Sequence, residues 1–169
     1  MTAMPDFPAN PAANAASGPD IAVREARAAD AEVIAEFNIR LARETEDTAL
    51  EPAVVLSGVR RGIADPARAR YFVAEVGGRV AGQLMLTKEW SDWRDGDIWW
   101  IQSVYVAAEF RRLGVFRRLF GHVESLAAAE GVAGLRLYIE EHNEPARRTY
   151  ESLGMITAHY RVMEKMRKA

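Results

Sequence analysis

Gln102-Ser103-Val104-Tyr105-Val106-Ala107-Ala108-Glu109-Phe110-Arg111-Arg112-Leu113-Gly114-Val115-Phe116 is the stretch whose reading decides the fold. Its first half closes the run Ile98-Trp99-Trp100-Ile101-Gln102-Ser103-Val104-Tyr105-Val106, rich in aromatic and β-branched residues and the most strand-like segment of the chain. Its second half opens a helical pattern over residues 111–130. There Val115, Phe116, Leu119, Phe120, Val123, Leu126 and Ala127 form an apolar stripe, and Gly131 stands at the C-cap. A strand that turns sharply into a helix leaves several N–H groups without intrahelical partners at the positive end of the helix dipole, a ready anion site. Gly114 lets an anion approach the backbone, and Arg111, Arg112, Arg117 and Arg118 add charge suited to phosphate. A plain turn flanked by solvated arginines is the competing reading of the same residues. No Gly-Lys-Ser/Thr follows and the three-glycine dinucleotide fingerprint is missing, so nucleoside triphosphate and nicotinamide readings lose their support.

Working outward, residues 21–26 alternate enough for a short strand. Asp30 then stands as N-cap of a helix carrying Val33, Ile34, Phe37 and Leu41 to about Glu46. Pro52 opens a second helix with Val55, Leu56, Val59 and Ile63, which Asp65-Pro66 stops. Two apolar runs around Gly77-Gly78 read as a β-hairpin, and a polar loop over residues 90–96 leads back to the opening strand. Beyond residue 131 the pattern predicts a strand over 135–140 and a helix from Asn143-Glu144-Pro145 to Gly154. The alternating tail over 156–166 is expected to close the sheet with one or two strands. Strands first, then a strand-helix-strand-helix-strand half, indicate an α/β or α+β sheet with helices on both faces.

Composition narrows the function classes. The chain has 169 residues, 49% hydrophobic and 27% charged, with 22 Lys+Arg, 24 Asp+Glu, 3 His and no Cys. One such domain buries a core without disulfides or a structural metal. The absence of cysteine excludes disulfide frameworks, thiolate metal sites and catalytic thiolates, and the three histidines are too sparse for a His-rich metal cage. A net charge of −2 gives no global attraction to nucleic acid or anionic lipid, and no apolar run is long enough for a membrane span. Residues 1–19 hold four of the seven prolines among Ala, Asn, Ser and Gly, and read as a disordered leader before a domain over 20–169. They lack the features of a secretory or transit peptide, so the cytoplasm is the default location.

Arg111-x-x-Gly114-x-Phe116, with the strand before it and the helix after it, resembles the acetyl-CoA-binding signature of the GNAT superfamily of N-acetyltransferases. Leu137-Tyr138-Ile139-Glu140 followed by Asn143-x-x-Ala146, Tyr150 and Leu153-Gly154-Met155 is similar to that superfamily's next strand and helix. Val23-Arg24-Glu25-Ala26 with Ala28-Ala29-Asp30 is similar to its first strand and helix start. The resemblance spans residues 20–169. Phe116 departs from it, standing where a Gly or Ala is usual, and Ala108 replaces a frequent Pro.

The resemblance implies a largely antiparallel, mixed sheet of six to seven strands splayed at its centre, with about four helices. It implies acetyl-CoA as cosubstrate, no metal, and direct transfer of the acetyl group to a primary amine of a small-molecule or peptide acceptor. By position, the N–H groups of Leu113, Gly114, Val115, Phe116 and Arg117 hold the pyrophosphate, and the backbone of Val104 and Val106 pairs with the pantetheine arm. Asn143 contacts the pantetheine or caps its helix, or does both. Tyr150 hydrogen-bonds or protonates the departing thiolate, its competing role being core packing. The general base is open. Gln102 cannot accept a proton at neutral pH, which leaves Glu89, Glu140, Glu141 or a water chain. Trp90, Trp93, Trp99 and Trp100 are divided between a core belt and a loop that presents ring faces, with Asp92 or Asp95, to a cationic amine. A non-catalytic acyl-CoA sensor of the same fold is the alternative, a homodimer is one option for its assembly, and neither nucleic acid nor membrane is an expected partner. Without cysteine there is no acyl-cysteine intermediate, which favours direct attack.

Overall fold

The computed structural model describes residues 19–167, so the leader expected over residues 1–19 lies, apart from Pro19, outside the described residues. Five strands, β1 (Ile21–Glu25), β2 (Arg70–Val76), β3 (Arg79–Ser91), β4 (Gly96–Val106) and β5 (Gly134–Leu137), stand in chain order in one sheet. The pairs β1/β2, β2/β3 and β3/β4 are antiparallel. Helices α1 (Ala31–Glu46) and α2 (Pro52–Ile63) link β1 to β2, α3 (Val115–Ala129) links β4 to β5, and α4 (Glu144–Ser152) follows. The chain divides into two compact units, one ending at Arg136 and one beginning at Leu137.

Period-two alternation sorts the core of the first unit. On β2, Tyr71 and Val73 pack with Ala31, Ile34 and Ala35 of α1 and Val59 of α2. Phe72, pointing the other way, meets His122 of α3 with ring centroids 5.3 Å apart. Helices therefore cover both faces. Helix α3 buries Val115, Leu119, Phe120, Val123 and Ala127, the stripe read from the sequence. Each large apolar side chain removed from water there contributes about 1.5–3 kcal/mol.

Asp30 occupies the N-cap position of α1, yet its side chain makes no cap bond to that helix. Its carboxylate accepts instead from the Arg27 N–H at 2.6 Å and from two guanidinium nitrogens of Arg24 at 2.7 and 2.9 Å. It closes the short 3₁₀ turn Ala28–Asp30 and pins β1 to the start of α1. The Arg24 guanidinium holds the Asp30 carboxyl below the usual carboxylate range against the opposing effect of burial.

Three expectations are corrected. The sheet has five strands among the described residues, not six or seven, and residues 156–166 form no strand. The tail's alternation supplies an apolar face but pairs with no ladder, and Ile156, Tyr160, Val162, Met163 and Met166 are all exposed. The strand expected over 135–140 is shorter, Gly134–Leu137.

Candidate functional site

The turn after β4 is built by two left-handed residues. Arg112 has φ +64° and Gly114 has φ +88°. Gly114 is the N-cap residue of α3 and brings no side chain to cap it, so the first N–H groups of the helix have no capping side chain. A Cβ built on Gly114 would meet no atom within 4 Å, so the space beside this backbone is open. Left-handed backbone next to a helix start directs successive N–H groups into a concavity suited to an anion. Two features suit the turn to a phosphate group: the space beside Gly114 is open, and Arg112 and Arg117 form no ion pair among the described residues.

Gly82 explains how the turn is held against the sheet. A Cβ there would lie 2.9 Å from the Tyr105 carbonyl oxygen and 3.1 Å from a Val115 methyl, so β4 and the first residue of α3 approach β3 more closely than any other residue would allow. Phe116 is half-buried and packs against Phe120, ring centroids 6.0 Å apart, as its place in the stripe requires.

Upstream of the turn the β3/β4 register slips. Gln83 pairs with Tyr105 but Met85 pairs with Gln102, so Leu84 stands opposite both Ser103 and Val104. Ser103 takes up the extra residue at φ +49°, a left-handed conformation costly for serine. This bulge has no signal in the sequence, because the cross-strand register imposes it. Beyond it the Ala107 N–H donates to Ala81 of β3 at 2.9 Å. Alternation therefore turns the Val106 backbone to the opposite edge of β4. Only four residues long and entering where the Ala133 N–H meets the Asp97 carbonyl at 2.8 Å, β5 does not extend along that edge to Val104 or Val106. The Val106 carbonyl there accepts from Arg111 Nε at 2.9 Å.

Arg111 thus has a role the sequence did not indicate. Its Nη2 also donates to Glu44 Oε2 at 2.6 Å, and its guanidinium lies over the Tyr105 ring, 5.5 Å from the centroid. The Tyr105 hydroxyl donates to Glu44 Oε1 at 2.7 Å. The Tyr105 hydrogen bond and then Arg111 hold the Glu44 carboxyl below its ordinary range, while burial and Glu44 push the Tyr105 phenol up.

Glu89, near the end of β3, accepts from the indole Nε1–H of Trp100 through one oxygen and from Arg136 Nη1 at 2.8 Å through the other. Arg136 lies 5.8 Å from the Trp100 ring centroid. Gln102 Nε2 donates to Thr87 Oγ1 at 2.6 Å on the same face. The four tryptophans divide: Trp99 is core, Trp100 is half-buried, and Trp90 and Trp93 are 61% and 86% exposed around the β3–β4 turn.

In the second unit, Asn143 caps α4, its Oδ1 accepting from the Ala146 N–H at 3.1 Å. Tyr150 lies on α4 and its phenol is pushed above its ordinary pKa by burial. Glu140 and Glu141 are exposed before α4, and Glu140 accepts from the His142 N–H at 2.9 Å. Among the described residues no group of three His, Asp or Glu stands where it could hold a metal ion, and no helix is long and apolar enough to cross a membrane.

The strand order of the sheet, the bulge between β3 and β4 and the open turn at the head of α3 make up the site. The chain belongs to the acetyltransferase (GNAT) family, whose model matches residues 32–155. It is 43% identical to a possible acetyltransferase from Clostridium difficile 630, with a TM-score of 0.82 over 88% of this chain and 99% of that one. A probable acetyltransferase at 19% identity shares the fold with a TM-score of 0.76, covering 88% of this chain and 98% of the other. So does a predicted acetyltransferase with acetyl-CoA from Clostridium acetobutylicum, 12% identical, with a TM-score of 0.71 over 86% of this chain and 96% of that one. No curated protein matches the chain in sequence.

Proposed function

We propose that the chain is an acetyl-CoA-dependent N-acetyltransferase that moves the acetyl group directly to a primary amine, with both substrates bound at once. The observation that carries this reading is the turn through Arg112 and Gly114, an open anion cradle at the head of α3 and at the end of a bulged strand. A fold-mate solved with acetyl-CoA supports the choice of ligand.

The N–H groups of Leu113, Gly114, Val115, Phe116 and Arg117 take the pyrophosphate, with Arg112 and Arg117 adding charge. The pantetheine arm pairs with the backbone of Val104 and Val106. At Val106 the carbonyl already accepts from Arg111 and keeps one lone pair. Asn143 spends Oδ1 on its helix and offers its amide nitrogen. Tyr150 keeps its proton across the neutral range. Because a phenol above 10 is a weaker acid than an alkyl thiol near 8.5, it stabilises the departing thiolate chiefly as a hydrogen-bond donor. Glu89 is the candidate acceptor for the amine's proton. Trp100 and Arg136 fix its carboxylate, which keeps lone pairs beyond the two already used. The protein's main contribution is to hold amine and thioester together.

Thermal unfolding with acetyl-CoA at a hundredfold excess over its dissociation constant tests the binding half, with about 2.7 kcal/mol of added stability expected. CoA release across a panel of amines and peptides tests the transfer half. Binding without release on any acceptor would favour an acyl-CoA sensor, and no shift with any CoA ester would overturn the reading.

A further inference from the structure

We infer that Glu44 of α1 is a positioning residue for the phosphate turn: it holds the Arg111 guanidinium across the end of β4, so that Arg111 braces the turn while Arg112 and Arg117 meet the phosphates. The inference rests on the acyl-CoA reading and goes beyond it. From the sequence, Arg111 is one of four arginines supplying charge. The structure gives it different work.

Three contacts fix the guanidinium. Nε caps the Val106 carbonyl at 2.9 Å, Nη2 meets Glu44 Oε2 at 2.6 Å, and the plane lies over the Tyr105 ring. Both anchors are themselves fixed. Val106 is the last residue of β4, and Glu44 receives the hydroxyl of Tyr105, which is buried and packs against Phe37 of α1 with centroids 5.1 Å apart. The Arg111–Val106 bond closes the loop between the strand end and the left-handed Arg112, and so sets the direction in which the chain leaves the sheet. To reach a phosphate, Arg111 would have to leave an ionised carboxylate and reopen that loop. Its charge is already balanced by Glu44, whereas Arg112 and Arg117 have no ion pair among the described residues. Both partners of the Glu44–Arg111 pair are nearly half exposed, so the pair adds little to global stability and acts on local geometry.

The test is the dissociation constant of CoA as a function of salt for the full chain and the variants Arg111→Gln, Arg117→Gln, Glu44→Gln and Glu44→Gln/Arg111→Gln. A phosphate ligand contributes to the salt dependence, and a brace does not. Arg117→Gln is expected to flatten the dependence. Arg111→Gln should weaken CoA by about fivefold at every salt concentration without changing the slope. Glu44→Gln should weaken it similarly and add nothing once Arg111 is gone. If Arg111→Gln flattens the slope as Arg117→Gln does, or if Glu44→Gln tightens CoA, the inference is overturned. Urea unfolding, without ligand, of the full chain, Arg111→Gln, Glu44→Gln and the double variant is the second readout: Glu44 and Arg111 should couple, and strictly additive effects would overturn the brace. Wild-type chain that binds no CoA ester would overturn the acyl-CoA reading instead, leaving the brace to the unfolding cycle.

Discussion

The indole N–H of Trp100 and the guanidinium of Arg136 converge on the two oxygens of Glu89, one each. Strand β4 supplies the first donor, β5 the second, and β3 the carboxylate, so three neighbouring strands hold a single negative charge on one face of the sheet. Glu89→Gln is expected to lower kcat/KM for amine acceptors by about a hundredfold, the usual scale for a positioned proton acceptor. Steady-state kinetics at fixed acetyl-CoA measures it, and a change confined to KM would recast Glu89 as an anchor for the acceptor's charge.

Tyr150→Phe should slow thiol release by about a hundredfold while leaving CoA affinity within a factor of two. A second signature comes from linkage. Burial raises the folded-state pKa of Tyr150, so the stability due to the buried neutral phenol is fully present below the unfolded value near 10 and is lost as pH rises through the folded value. The phenylalanine variant should therefore resist alkaline unfolding better than the parent, which a pH series of thermal melts would show.

Gly114→Val places a β-branched residue at φ +88° and fills the open space beside the turn. The conformational cost is about 1–2 kcal/mol. The chain should still fold, because nothing crowds the new side chain from within, yet lose CoA binding. Retained affinity in calorimetry would refute the phosphate role of this turn.

Asp30→Asn removes a buried carboxylate held by Arg24 and the Arg27 N–H. The folded-state pKa of Asp30 is depressed, so its contribution is present above the unfolded value near 3.9 and disappears as pH falls through the folded value. The substitution should cost roughly 2 kcal/mol at pH 7 and progressively less toward acid, by urea unfolding across that range.

What the sequence made legible follows from how locally each element is encoded. The stripe of α3, the Gly77-Gly78 hairpin and the Asn143 cap depend on residues within a turn or two of each other, and all three stand as expected. The bulge was invisible because Ser103 takes a positive φ only under the register that β3 imposes on β4. Glu44 was invisible because its partner Arg111 lies 67 positions away, and a glutamate near the end of an amphipathic helix gives no hint of that pairing. Asp30 carried the right residue type for a cap, but the nearer Arg24 and Arg27 took its oxygens. The tail misled for the converse reason: alternation describes a face, and a strand also needs a neighbour.

Gly82 seats the first residue of α3 directly on the backbone of the sheet. Tolerance to mutation should therefore be poor at a position with no chemistry of its own. Even an alanine there would have to push apart β4 and the helix head, and screens for lost cofactor affinity in random libraries should return core substitutions around Gly82, Tyr105 and Val115 alongside those in the turn itself.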